Sequence, residues 1–289
     1  MPLFDRIIMV DWSAAAVPTL GRDSIWISVA EGGQLAGEPR NIATRAAAMD
    51  ALRDLCPQDL RVLIGFDFAF GYPDGTALRF GNHGWRSVWE WIAANLTDGE
   101  TNANDRFACA RAFNDMFGSG EGPLWGRPTN ASVGPGPRKP ERMPNGLAER
   151  RYVERIVRSA QPVWKLAYPG SVGSQTLTGI ARLQAWLSAS SVGQDSAVWP
   201  FETEFADDLR RQVVLAEIYP SLFDIDAHAG ETKDAAQVRT LATGYARLDQ
   251  QGELLPHLAG PSDVAARRIA LREEGWIMSV GDAPLRLAA

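Results

Sequence analysis

Three short apolar stretches determine the fold: IIMVDW at residues 7–12, VLIGFDF at residues 62–68 and VVLAEIY at residues 213–219. Each begins with a continuous apolar run, which is typical of a strand that is covered on both faces. Each also has one acid near its carboxyl end, namely Asp11, Asp67 and Glu217. If the three strands are parallel neighbours, we expect these acids to converge on one cleft, because ligands of open α/β sheets bind outside the carboxyl ends of the strands.

The segments between these strands predict the rest of a mixed α/β fold. Residues 23–33 predict a second strand that pairs with the first as a hairpin, and residues 35–43 predict a weaker third strand. Helices, one of them after a Gly/Ser turn, are predicted within residues 44–56, 85–96, 104–117, 148–159, 170–187, 231–248 and 262–276. Three of them begin near residues that are typical N-caps, namely Thr44, Thr232 and Ser262. Residues 118–147 are rich in Gly and Pro and predict a long loop.

Composition excludes several classes of protein. The chain has 289 residues, of which 45% are hydrophobic and 22% charged, as in an ordinary globular protein of one enlarged domain or two. Two cysteines form no disulfide framework, and no two of the three histidines have a zinc-ligand spacing. The net charge of −6 argues against generic electrostatic binding of nucleic acid. With no apolar run of about 18 residues and no signal peptide at the start, we expect a cytoplasmic protein and no membrane partner.

The acids at the strand ends suggest a hard divalent cation. Carboxylates without His or Cys suit Mg²⁺ or Mn²⁺, and a carboxylate site can support hydrolysis of a phosphodiester. Asp11, Asp67 and Glu217 are the candidate metal ligands. Asp234 and Asp263 are candidates for the remaining catalytic acid, although both lie near a helix start, where an acid also has a simple stabilising role.

Other polar residues are candidates for substrate binding. Residues 138–158 contain seven basic and three acidic side chains, which would suit a phosphodiester backbone but also fits a solvated helix face. The turn GSVGSQT at residues 170–176 is a candidate anion-binding nest or a simple helix cap. The substrate-binding candidates are Ser13, Arg150, Arg151, Arg155, Ser171, Ser174 and Lys233.

An ordered set of motifs spans nearly the whole chain: IIMVDWSAA, VLIGFDFAFGYPDG, YPGSVGSQTLTGIARL, VWPFE, EIYPSLF, KDAAQVR and EEGWI. With these motifs the sequence resembles the ribonuclease-H-like superfamily, and within it a bacterial domain family of unknown function whose members are predicted nucleases. The resemblance implies one enlarged domain over residues 1–289, with a helical insertion at about residues 76–195. It implies a five-stranded mixed sheet of order 3-2-1-4-5, with strands one, four and five parallel and adjacent.

The resemblance also implies acids on the first strand, the fourth strand and the last helix. Asp11 and Asp67 match the first two positions. Asp263 lies on the helix expected for the third, and Asp234 and Glu274 compete with it. The acid that ribonuclease H has on its first helix has no clear match in this chain. The activity implied is that of a metal-dependent nuclease or phosphodiesterase, with nucleic acid or a small phosphoester as substrate.

Two other functions stay open from the sequence. A nucleotide-dependent phosphotransferase of the actin and sugar-kinase kind has the same sheet topology, but DWSAA offers Asp11 and Ser13 without a glycine between them. A non-catalytic protein that retains the fold is the other alternative, and the missing first-helix acid favours it. Nothing in the pattern specifies an oligomeric state.

Overall fold

One mixed sheet forms the centre of the molecule. The computed structural model describes residues 1–81, 83–118, 121–189 and 191–285. Within them the strands are β1 (Arg6–Asp11), β2 (Ile25–Glu31), β3 (Gln34–Leu35), β4 (Arg40–Ile42), β5 (Val62–Phe66), β6 (Ser196–Val198) and β7 (Val213–Glu217). Their order is β3-β2-β1-β5-β7-β6, and β4 also pairs with β2.

Within the described residues the sheet has seven strands, so the prediction of five strands in the order 3-2-1-4-5 is not met as stated. The predicted third strand is two short pieces, β3 and β4, which both pair antiparallel with β2. A further short strand, β6, lies parallel to β7 at the other edge of the sheet. β6 was not predicted, because three residues are too few to show a strand period.

Helices connect and cover the strands. Their bounds are α1 (Arg45–Asp54), α2 (Trp85–Asn95), α3 (Arg106–Asp115), α4 (Tyr152–Ile156), α5 (Gly173–Ala189), α6 (Ser191–Gln194), α7 (Lys233–Gln251), α8 (Leu255–Leu258) and α9 (Val264–Ile269). A π-helical turn, Ala270–Glu274, continues α9, and 3₁₀ turns lie at Ala77–Arg79, Pro144–Gly146 and Pro220–Leu222. The segment between β5 and β6 contains α2 to α6.

Two of the three predicted N-caps are confirmed. The hydroxyl of Thr44 accepts a hydrogen bond from the backbone N–H of Ala47, and Thr232 does the same for Ala235. The prediction of Ser262 as the cap of α9 is wrong, because the Asp263 carboxylate accepts from the N–H of Ala266. The predicted basic helix within residues 148–159 is also shorter than expected, since α4 has only five residues.

The sheet separates two hydrophobic layers. Alternate residues of a strand face opposite sides, so Ile8 and Val10 of β1 pack with α1, α2 and α5, whereas Ile7 and Met9 pack with α7. This arrangement explains the continuous apolar runs from which β1, β5 and β7 were predicted. In the described part of the chain, no helix has the length and apolar character needed to cross a membrane.

Candidate active site

The carboxyl ends of β1, β5 and β7 meet at one edge of the sheet. β5 pairs parallel with both β1 and β7, as the sequence pattern predicted. In this register Val10, Phe66 and Glu217 stand in one row across the three strands. Asp11 and Asp67 each come one residue after that row, directly after Val10 and Phe66. They therefore face the α7 side of the sheet, opposite to Glu217. Glu217 thus does not share a face with Asp11 and Asp67, although Glu217 and Asp67 line the same cleft, as expected.

Glu217 forms a buried ion pair with Arg151. Its Oε1 accepts from Arg151 Nη2 at 2.6 Å, and its Oε2 accepts from Arg151 Nη1 at 2.8 Å and from the backbone N–H of Phe70 at 3.0 Å. Arg151 also donates from Nε to Glu154 at 2.8 Å. Burial raises the pKa of Glu217, and the charge of Arg151 opposes that shift. Glu217 therefore has a structural role in this conformation, with its charge compensated by Arg151, and its role as a metal ligand stays a prediction.

Asp11 and Asp67 form the acidic centre of the site. Both are half-buried. Burial raises the pKa of Asp11 well above its ordinary value, and the charge of Asp67 raises it further. Burial also raises the pKa of Asp67 to about 7, against the opposing effect of the Trp12 N–H, which donates to Asp67 Oδ1 at 2.7 Å. The surroundings therefore disfavour the form of the pair in which both carboxylates are charged.

The structure brings Asp234, and not Asp263, to this pair. Asp234 lies in the first turn of α7, and its negative charge raises the pKa of both Asp11 and Asp67. Its Oδ2 accepts from the backbone N–H of Asp23 at 3.1 Å. Asp263 is an exposed N-cap. Neither residue lines the cleft, but of the two candidates for the remaining acid Asp234 is the one whose charge acts on Asp11 and Asp67.

The third competitor from the resemblance, Glu274, also has a structural role. The backbone N–H groups of Asp74 and Tyr152 donate to its carboxylate, the former at 3.0 Å. Glu273 beside it accepts from the N–H of Gly75 at 3.0 Å. These two acids therefore fix the loop that follows β5.

The carboxylates of the described residues do not form a complete set of ligands for a metal ion. Throughout residues 1–81, 83–118, 121–189 and 191–285, no group of three or more His, Cys, Asp or Glu side chains is placed to hold a metal ion. Mg²⁺, however, is commonly bound through one or two carboxylates, with water and substrate phosphate oxygens as its other ligands. The Asp11–Asp67 pair fits that second mode, because burial raises both pKa values and a cation would compensate the carboxylate charges that burial disfavours.

A cleft with a volume of about 260 Å³ opens at Asp67, and Asp11 is not part of its lining. Polar residues in its lining are Asp67, Arg151, Glu154, Ser171, Gln175, Glu217, Tyr219, Ser221, Lys233 and Gln237. Lys233 is exposed, and its charge lowers the pKa of Asp11. Among the predicted substrate-binding residues, Arg151, Ser171 and Lys233 thus line the cleft.

Two predicted substrate-binding serines have structural hydrogen bonds instead. Ser13 donates to the backbone oxygen of Asp23 at 2.8 Å and accepts from the N–H of Ala15 at 3.2 Å. Ser174 is buried, and its hydroxyl accepts from Arg106 Nε at 3.1 Å. Neither serine lines the cleft.

The three predicted basic residues do not form a track for a phosphodiester backbone. Arg151 is only 1% exposed because it pairs with buried acids. Arg150 donates to the backbone oxygen of Ala160, and the Arg155 guanidinium lies 4.7 Å from the centre of the Tyr152 ring. Of the three, only Arg151 lines the cleft, from within the ion cluster.

Sequence reasoning missed two glutamines of the cleft. Gln175 in α5 donates from Nε2 to the backbone oxygen of Trp12 at 2.6 Å. Gln237 in α7 is 7% exposed and lies four residues after Lys233, on the same side of the helix. That i, i+4 spacing was the available signal, but a glutamine inside an amphipathic helix is unremarkable without the structure.

Comparison of the chain with protein-family models, with curated proteins and with solved structures found no match.

Proposed function

We propose that this protein is a divalent-metal-dependent hydrolase of phosphate esters, with Asp11 and Asp67 as ligands of Mg²⁺ or Mn²⁺. The observation that supports the proposal is the half-buried pair itself, in which two adjacent strand ends place carboxylates close enough to raise the pKa of Asp11. Such a pair is costly unless a proton or a cation compensates it. When bound, a divalent cation polarises a phosphoryl oxygen and lowers the pKa of a bound water.

The residues around the pair would have distinct roles. The Trp12 N–H fixes Oδ1 of Asp67 and so orients its carboxylate. Asp234 adds negative potential that attracts a cation, while the Lys233 ammonium would bind a phosphate oxygen at the mouth of the cleft. The Arg151–Glu217 pair builds the cleft floor.

The proposal includes the ribonuclease-H-like fold, with β6 as an added edge strand. The support is the antiparallel β1–β2 hairpin beside the parallel neighbours β1, β5 and β7. A cytoplasmic location belongs to the same hypothesis. The substrate favoured is a small phosphoester, because the cleft is small and residues Arg150, Arg151 and Arg155 do not form a basic track.

Hydrolysis of bis(p-nitrophenyl) phosphate tests the proposal. We expect wild-type activity with Mn²⁺ or Mg²⁺, and loss to background in Asp11→Asn and Asp67→Asn. The control is Asp59→Asn, which changes an exposed carboxylate and should retain full activity. Activity should also fall as the pH drops below about 7, because a proton on Asp67 competes with the cation. Equal activity in all three variants, or none in the wild type with either metal, would contradict the proposal.

A further inference from the structure

Gln237 presents its amide to the cleft. The residue is 7% exposed and lines the cleft, and its side chain makes no hydrogen bond to any residue that the structure describes. Its amide nitrogen and oxygen are not fully buried, so they are open to the cleft. The amide is therefore available to a ligand in the cleft that both donates and accepts hydrogen bonds.

The cleft around this amide combines apolar walls with few polar groups. Phe68, Val172, Ile218 and Ile277 contribute apolar surface. The ring of Tyr219 is held in place, since its hydroxyl donates to the backbone oxygen of Ser159 at 2.8 Å. Apolar walls with a few oriented polar groups are the usual environment of a small ligand with flat apolar faces and a polar edge. A heterocyclic ring has that chemistry.

The mouth of the cleft has a group for a phosphate. Lys233 lies one helical turn before Gln237, and its ammonium forms no ion pair with the acids of the described chain within 4.0 Å. An ammonium without a protein partner beside a cleft is available to a phosphate oxygen. The proposed cation at Asp11 and Asp67 would offset the repulsion between the phosphate and the nearby acids.

We propose that the cleft binds a mononucleotide, with its base edge on the Gln237 amide and its phosphate between Lys233 and the Asp11–Asp67 pair. Glutamine amides can form paired hydrogen bonds with the edge of a base. The volume of about 260 Å³ suits one nucleotide and not a strand. This inference rests on the proposed function, because it names the substrate class of the same site.

Calorimetric titration of the full chain tests it, with and without Mg²⁺. The probes are the four ribonucleoside 5′-monophosphates, ribose 5-phosphate, inorganic phosphate and a 12-mer single-stranded oligonucleotide. Gln237→Leu removes the amide at similar volume, and Gln251→Leu changes an exposed glutamine at the end of the same helix. We expect at least one nucleotide to bind more tightly than ribose 5-phosphate. Gln237→Leu should weaken that nucleotide about fivefold to tenfold without affecting ribose 5-phosphate, and Gln251→Leu should match the wild type.

Several results would overturn the inference. The first two are that the wild type binds no nucleotide, or that Gln237→Leu binds the nucleotide as tightly as the wild type does. The others are that ribose 5-phosphate or inorganic phosphate binds the wild type as tightly as any nucleotide, or that the 12-mer binds it more tightly than any nucleotide. The hydrolysis assay shows whether only the nucleotide-binding inference fails or whether the proposed hydrolase function fails as well. Metal-dependent hydrolysis that Asp11→Asn abolishes, without nucleotide binding, leaves the enzyme proposal standing alone. Nucleotide binding that depends on Gln237, without hydrolysis, leaves the binding site standing alone.

Discussion

Replacing Asp67 by asparagine tests the electrostatics of the carboxylate pair. The substitution removes the charge but keeps an oxygen that can accept from the Trp12 N–H. Burial raises the pKa of Asp67 from 3.8 to about 7, so the folded protein binds this proton more tightly than the unfolded chain. The free energy of unfolding of the wild type therefore falls as the pH rises from about 4 to about 7, and the loss is complete above that range.

The difference between the two pKa values of Asp67 sets the size of this effect on the free energy of unfolding. The rise from 3.8 to about 7 corresponds to about 4 kcal/mol, and solvent screening at a half-buried site reduces this to about 2–4 kcal/mol. We expect Asp67→Asn to be more stable than the wild type by that amount at pH 8 without metal. At pH 4 the wild-type folded state holds its proton, and the two proteins should agree within about 0.5 kcal/mol.

Urea denaturation in a chelator-containing buffer at both pH values measures this difference. Comparing two proteins at one pH cancels the titration of other groups, such as Glu273, whose pKa burial also raises to about 7. The exposed control Asp59→Asn should match the wild type at both pH values. A less stable Asp67→Asn at pH 8, or the same difference at both pH values, would refute the reasoning.

Two further substitutions test the parts of the fold that support the cleft. Arg151→Met leaves the buried Glu217 without its counter-charge. It should lower the free energy of unfolding by about 3–5 kcal/mol at pH 7, as measured by urea denaturation. A decrease below about 1 kcal/mol would contradict the buried ion pair. Gly71→Ala would place a Cβ 2.3 Å from the backbone oxygen of Glu273. It should lower the free energy of unfolding by about 1–3 kcal/mol. In Gly136→Ala the nearest heavy atom would lie 3.8 Å from the new Cβ, and we expect no such decrease. Equal stability of the two alanine variants would show that this close approach is not maintained.

The sequence was informative where one local signal dominated. The apolar runs of β1, β5 and β7 predicted buried central strands, and Thr44 and Thr232 were recognised as caps because their hydroxyls precede helical periodicity. Ser262 and the following Asp263 are both good cap residues, so sequence could not separate them.

The candidate site was only partly predictable, because strand register is a tertiary property. A shift of one residue reverses the face of a side chain, and this places Glu217 opposite to Asp11 and Asp67. Charge counting likewise could not distinguish Arg151, which is buried in an ion pair, from the neighbouring Arg150. Arg151 pairs both with the nearby Glu154 and with Glu217, which is 66 residues away in the chain and could not be identified as a partner from sequence.

Thermal unfolding with and without millimolar Mn²⁺ tests the central claim, that Asp11 and Asp67 bind a divalent cation. A cation that binds only the folded state stabilises it by about 2.7 kcal/mol at 100 times its Kd. We predict a rise in the Tm of the wild type and of Asp59→Asn, and no rise in Asp11→Asn. An unchanged Tm of the wild type, or the same rise in Asp11→Asn, would contradict the claim.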